Sequence, residues 1–135
     1  MTRDPAELTR IQPPFGHHVG CRITHAGEDR VEGELTVTPE LTNRNGVLHG
    51  GVIMSLADNL GGMGSTLLLK EGEMTTTVES KTNFFRSVAP GEVLRAVSVP
   101  LHAGRTTQVW QTTLTREDGK IAAQVTQTQM TLRRR

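Results

Sequence analysis

One long helical stretch limits what this chain can fold into. From about Gly50 to Leu69, apolar residues recur as Val52/Ile53, Leu56/Ala57, Leu60, Met63/Gly64 and Leu67/Leu68, the spacing of a buried helical stripe. The opposite rows hold Gly51, Ser55, Asp58, Gly62 and Ser65. A helix that is greasy on one face and small on the other can pack closely on two sides. Asp58 stands in the middle of the small face, about two turns from the helix start. Burying an ionised carboxylate is costly unless it is paired or hydrogen-bonded. A solvated or salt-bridged Asp is the ordinary explanation, but the neighbouring positions are Gly and Ser rather than Lys or Glu.

The approach to this helix carries its own chemistry. A turn at Asn45-Gly46 leads into His49-Gly50-Gly51, so backbone N–H groups are left unpaired where the helix dipole is positive. Such a terminus can hold an anion or polarise a carbonyl oxygen. A carboxylate and an amide oxyanion hole are the two parts that acyl transfer requires.

The rest of the chain reads mainly as strand. A short helix is expected from Pro5 to Ile11, with Asp4 as cap and Glu7 three residues later, and Pro13-Pro14 stops it. Phe15-Gly16-His17-His18 reads as loop; its adjacent histidines lack a third ligand at a metal-binding spacing. Strands are expected over Val19 to Thr24 and Arg30 to Val37. After the helix they follow over Met74 to Arg86, Val93 to Leu101, Thr106 to Thr115 and Ile121 to Leu132. The turns between them carry Gly27, Pro90-Gly91, Gly104 and Asp118-Gly119. The last four strands read as a meander. One helix cannot cover six strands unless the sheet curls around it. The expected fold is therefore α+β, a single domain over residues 1–135 in which 1–13 form a helical extension.

Composition narrows the function. With 135 residues and formal net charge +1, the chain has one modest core and no broad basic field for nucleic acid. Arg133-Arg134-Arg135 is a local basic end. A single cysteine, Cys21, excludes an internal disulfide framework and a cysteine-cluster metal site. Neither a signal-type h-region nor an 18-residue apolar run is present, so the expectation is a soluble cytoplasmic protein with no membrane partner.

Asn43-x-x-Gly46-x-x-His49-Gly50-Gly51, followed by Ser55-Leu56-Ala57-Asp58, resembles the signature of hotdog-fold acyl-CoA thioesterases of the phenylacetate-degradation and 4-hydroxybenzoyl-CoA thioesterase type. Thr77 to Arg86, Pro90-Gly91-Glu92 and the Gly104-Arg105-Thr106 turn are similar to that family too, and the likeness spans about Pro14 to Leu132. The resemblance implies a curled sheet around a central helix and hydrolysis of an acyl-CoA thioester. Asp58 would be the base or nucleophile, and the Gly50 N–H the oxyanion donor. His49 would shape the helix start, Asn43 would position water or substrate, and Thr77 would hold the nucleophilic water. Substrate contacts would fall on Gly51, Arg86, Gly104, Arg105, Thr106 and Arg133. The resemblance further implies no cofactor beyond the substrate's own coenzyme A, and a homo-oligomer, a dimer with shared sites and then a dimer of dimers. Met54, Met63 and Phe84 are candidates for the acyl pocket or for plain core.

Two alternatives belong beside this reading. A hotdog hydratase or dehydratase would need a histidine placed as base, whereas His49 here precedes Gly-Gly. A non-catalytic acyl-CoA-binding module would need an effector domain, which these 135 residues do not encode.

Overall fold

The computed structural model describes residues 2–134; Arg135 of the basic end lies outside them. In chain order the elements are α1 (Pro5–Ile11), α2 (Pro14–Val19), β1 (Arg22–Ala26), β2 (Val31–Thr36), a 3-10 turn (Pro39–Leu41), α3 (Gly50–Leu67), β3 (Glu73–Phe84), β4 (Val93–Ala103), β5 (Thr107–Thr115) and β6 (Ile121–Arg133). α1 starts as its sequence dictates: Pro5 occupies the first turn and the Ala6 N–H donates to the Asp4 side chain at 3.1 Å.

The expected loop at Phe15–His18 is instead helix α2. Pro13-Pro14 ends α1, but Pro14 also suits the first position of a new helix, and Gly20 closes that helix at φ 79°. β1 consequently begins at Arg22 rather than Val19. α3 ends at Leu67, two residues short of the expected Leu69.

The six strands form one antiparallel sheet in the order β1-β2-β4-β5-β6-β3. The four-strand meander is corrected: only β4, β5 and β6 run consecutively, and β3 lies beyond β6 at the sheet edge. α3 crosses the sheet after β2 and delivers the chain to the far edge, so β3 enters from the side opposite β2. Alternation along β5 is regular, with Gln108, Trp110, Thr112 and Leu114 turned inward. Together with Leu35, Leu56, Leu60, Leu94 and Val125 they enclose the core.

α3 buries Ile53, Leu56, Ala57, Leu60, Gly61, Gly64 and Ser65. Ser65, assigned above to the small outer face, is inside, and Val52, Met63 and Leu67 are only partly covered. The reason is close approach at two glycines. A Cβ on Gly64 would lie 2.5 Å from the Trp110 ring, and one on Gly61 2.6 Å from the Gln127 amide carbon. The bare backbone of the helix therefore rests directly on large sheet side chains.

The two sheet edges differ. The Arg3 N–H donates to Ala26 O at 2.8 Å and the Ile23 N–H to Thr9 Oγ1 at 2.9 Å, so the N-terminal segment covers β1. β3 has no strand on its outer side among the described residues and is exposed along most of its length. It also carries a bulge. Thr77 pairs with Gln129 and Glu79 with Thr128, leaving Val78 as the extra residue, 52% exposed. Inward-facing residues are therefore Thr75 and Thr77 before the bulge and Ser80 and Thr82 after it.

Candidate active site

Asp58 projects from the middle of α3 toward β3. Thr77 Oγ1 donates to Asp58 Oδ1 at 3.3 Å, and Gln127 Nε2 donates to the same oxygen at 3.4 Å. Gln129 Nε2 donates to Thr77 Oγ1 at 2.7 Å, and Thr75 Oγ1 donates to Gln129 Oε1 at 3.1 Å. The carboxylate itself is exposed. Two recesses of about 450 Å³ each open on it. The first lies toward the start of α3, between Gly51, Met54 and Ser55, the α2 residues Phe15 and Gly16, and Ser80 of β3. The second lies toward its end, between Met63 and Leu67, the α1 residues Leu8 and Ile11, and Thr75 and Thr77.

The N-terminal helices thus wall the site, a role not evident in the sequence. Asn59 holds them: its Nδ2 donates to Gln12 Oε1 at 2.9 Å and to Cys21 Sγ at 3.4 Å, while Gln12 Nε2 donates to Cys21 O at 2.8 Å. Burial pushes the Cys21 thiol above its ordinary pKa, against the lowering by the Asn59 bond and Arg22. Cys21 is a packing residue of this junction.

The start of α3 forms a second locus. His49 caps the helix, with Nδ1 accepting from the Gly51 N–H at 2.8 Å. That leaves the Gly50 N–H without an acceptor among the described residues. Gly50 also meets the Phe84 ring, which a Cβ would approach to 3.1 Å. Asn43 Oδ1 accepts from the Asn45 and Val47 N–H groups at 2.9 and 3.4 Å, so Asn43 builds the turn that presents the helix start. Asn43, Gly50, Phe84 and Arg86 share a recess of about 380 Å³.

These two loci do not coincide within one chain. Eight residues of helix separate Gly50 from Asp58, about 12 Å of rise. The expected coenzyme contacts are also split. Arg86 Nη1 donates to Ile121 O at 2.8 Å, at the start of β6. Gly104, Arg105 and Thr106 form the β4–β5 turn, where Thr106 O accepts from the Thr131 N–H at 2.9 Å, near the end of β6. Ten strand residues separate those points, roughly 33 Å. Arg133 falls at the Arg105 end, paired in register with Glu73. Met54, Met63 and Phe84 each line one of these three recesses; Met54 and Phe84 are exposed, while Met63 also packs against the core.

Gln127 and Gln129 are site residues that the sequence reading misses. The signal was available, since strand alternation places both on the face of Ala123 and Val125, where an amide needs a buried partner. Glu79, the other acid near Thr77, turns to the outer face of the sheet and accepts from Thr128 Oγ1 at 3.1 Å.

Residues 45–123 match the family model described as the thioesterase superfamily. The chain is 34% identical over 103 residues to the proofreading thioesterase EntH of Cronobacter turicensis, covering 76% of this chain and 74% of that protein. Its fold matches the crystal structure of thioesterase HI1161 from Haemophilus influenzae with a TM-score of 0.90 at 29% identity, over 98% and 93% of the two chains. It also matches smu.793 of Streptococcus mutans, solved bound to acetyl CoA, with a TM-score of 0.78 at 27% identity over 86% and 91%.

Proposed function

From the premise that this chain belongs to the thioesterase superfamily and is a thioester hydrolase, we propose that its substrate is an acyl-coenzyme A, split into the free acid and coenzyme A. The observation that carries this reading is the Asp58 carboxylate, hydrogen-bonded through one oxygen and open to two recesses. The acetyl-CoA-bound relative supports the coenzyme.

The thioester carbonyl oxygen is received by the Gly50 N–H, at the positive end of α3, as negative charge builds on it. Asp58 acts at the carbonyl carbon, directly as nucleophile or by taking a proton from water. On either route the carbon–sulfur bond breaks, one water is consumed, and the sulfur leaves as the thiol. Thr77 steadies Asp58. His49 commits Nδ1 to capping Gly51, which favours hydrolysis over a hydratase chemistry that needs this histidine as base.

A carboxylate 12 Å along the helix from the oxyanion donor cannot serve the same carbonyl. We therefore place each active site between two copies, with Asp58 from one and Gly50 from the other. The uncovered β3 edge is the surface where the copies meet, since a long open strand edge is a template for pairing. The dimers would pair again into a dimer of dimers. The same arrangement accounts for Arg86 and Arg105 at opposite ends of one chain, because a single coenzyme A can meet both only where two copies abut. Arg105, Thr106 and Arg133 then receive its phosphates at one mouth of the site.

Asp58→Asn keeps the size of the side chain and removes both its basicity and its nucleophilicity. The expected result is a loss in kcat of at least ~10²-fold on a panel of acyl-CoA esters, read by thiol release, with folding retained. Turnover near the parent rate would refute the assignment.

A further inference from the structure

The inner face of the sheet holds three glutamines that are almost wholly buried, Gln108, Gln127 and Gln129. Gln108 has a structural use at both ends: its Oε1 accepts from Trp110 Nε1 at 2.8 Å and its Nε2 donates to the Ser65 carbonyl at 3.3 Å. The other two point elsewhere. Gln127 lies under Gly61, where any Cβ would collide with its amide, and its Nε2 reaches Asp58 Oδ1. Gln129 reaches the same oxygen through Thr77.

The hydrogen bonds of this series all run one way. The Thr75 hydroxyl donates to Gln129 Oε1, the Gln129 amide donates to Thr77 Oγ1, and the Thr77 hydroxyl, accepting from Gln129, donates to Asp58 Oδ1. Gln127 adds a second donor to Oδ1. The reverse amide orientation at Gln127 would aim an oxygen at a carboxylate. Its own Oε1 is left against the Gly61 backbone without a hydrogen-bond partner, a cost that a purely structural glutamine would not need to bear. Oδ2 of Asp58 receives no hydrogen bond among the described residues.

We propose that Gln127 and Gln129 are positioning residues: together they pin Asp58 by Oδ1 and so make Oδ2 the oxygen that acts on the thioester or its water. This rests on the reading of Asp58 given above. Neither glutamine touches the reacting atoms. Each works by fixing the direction of one carboxylate, and a misplacement of about 1 Å at such a group can cost ~10²-fold in rate.

The test uses the full chain and compares Gln129→Met, Gln127→Met and Gln129→Glu, each alone and combined with Asp58→Asn. Methionine keeps length and volume but cannot donate. The carboxylate introduced by Gln129→Glu would be an acceptor only, so the Thr77 hydroxyl would turn toward it and away from Asp58. In variants whose thermal unfolding stays cooperative, all three substitutions should lower kcat by ~10–100-fold with KM within about twofold. In the Asp58→Asn background none should lower the residual rate further, because their effect passes through that carboxylate. Should Gln129→Met fail to fold, Gln127→Met decides. Parent-like kcat in the folded variants, or losses that multiply with that of Asp58→Asn, would overturn the positioning role while leaving Asp58 as the acting carboxylate. An Asp58→Asn enzyme at full rate would overturn both.

Discussion

Arg116 and Asp118 face each other across the turn between β5 and β6, where the Asp118 carboxylate also accepts from the Lys120 N–H at 3.0 Å. The Arg116 guanidinium, and after it that backbone bond, hold the carboxyl at a pKa of about 2. The folded value lies below the unfolded one of about 3.9, so the stabilisation is complete above about pH 4 and is lost as pH falls toward 2. An NMR titration of Asp118 should give a midpoint near 2, and Arg116→Gln should bring that midpoint up toward the ordinary carboxylate range. Asp58 was legible in sequence for a different reason: a lone acid among Gly and Ser on a helix has no surface partner to explain it. Its partners Gln127 and Gln129 are harder to read. Strand alternation turns both inward, but they come from a strand about seventy residues away, and nothing in the local sequence names Asp58 as their partner.

At the scale of elements, helix α3 owes its position to two missing side chains. Alanine at an exposed helix glycine adds up to about 1 kcal/mol of helix propensity. At Gly64 the new methyl would meet the fully buried Trp110 ring at 2.5 Å, and overpacking of that kind costs about 1–3 kcal/mol. Gly64→Ala should therefore lower stability, by up to about 2 kcal/mol in urea unfolding, the opposite of what propensity alone implies. The extent of α3 and the strand pattern of β4, β5 and β6 follow from periodicities of 3.6 and 2. α2 was hidden because Pro14–Val19 holds fewer than two turns, with a glycine inside, and its Pro14 reads equally as a stop and a start. The place of β3 could not be read because alternation gives a strand two faces but does not name its neighbour.

For the whole molecule, the sheet is covered at its β1 edge and open at its β3 edge among the described residues, and the open edge is where the proposed dimer would form. Sedimentation should show a folded dimer or tetramer and no active monomer. A charged residue in place of Val78 on the open edge should shift it toward monomer and reduce kcat with it. Val78 has another property, which concerns length rather than chemistry. Because the bulge holds one residue beyond what β6 can pair, the strand could lose that residue and keep every existing partnership, from Thr77 with Gln129 to Phe84 with Ala123. Loss of a residue away from Val78, with the bulge kept, would instead exchange inner and outer faces along the strand beyond the gap. Related sequences that differ in length by one residue here can therefore share the same site, provided the gap falls at this position.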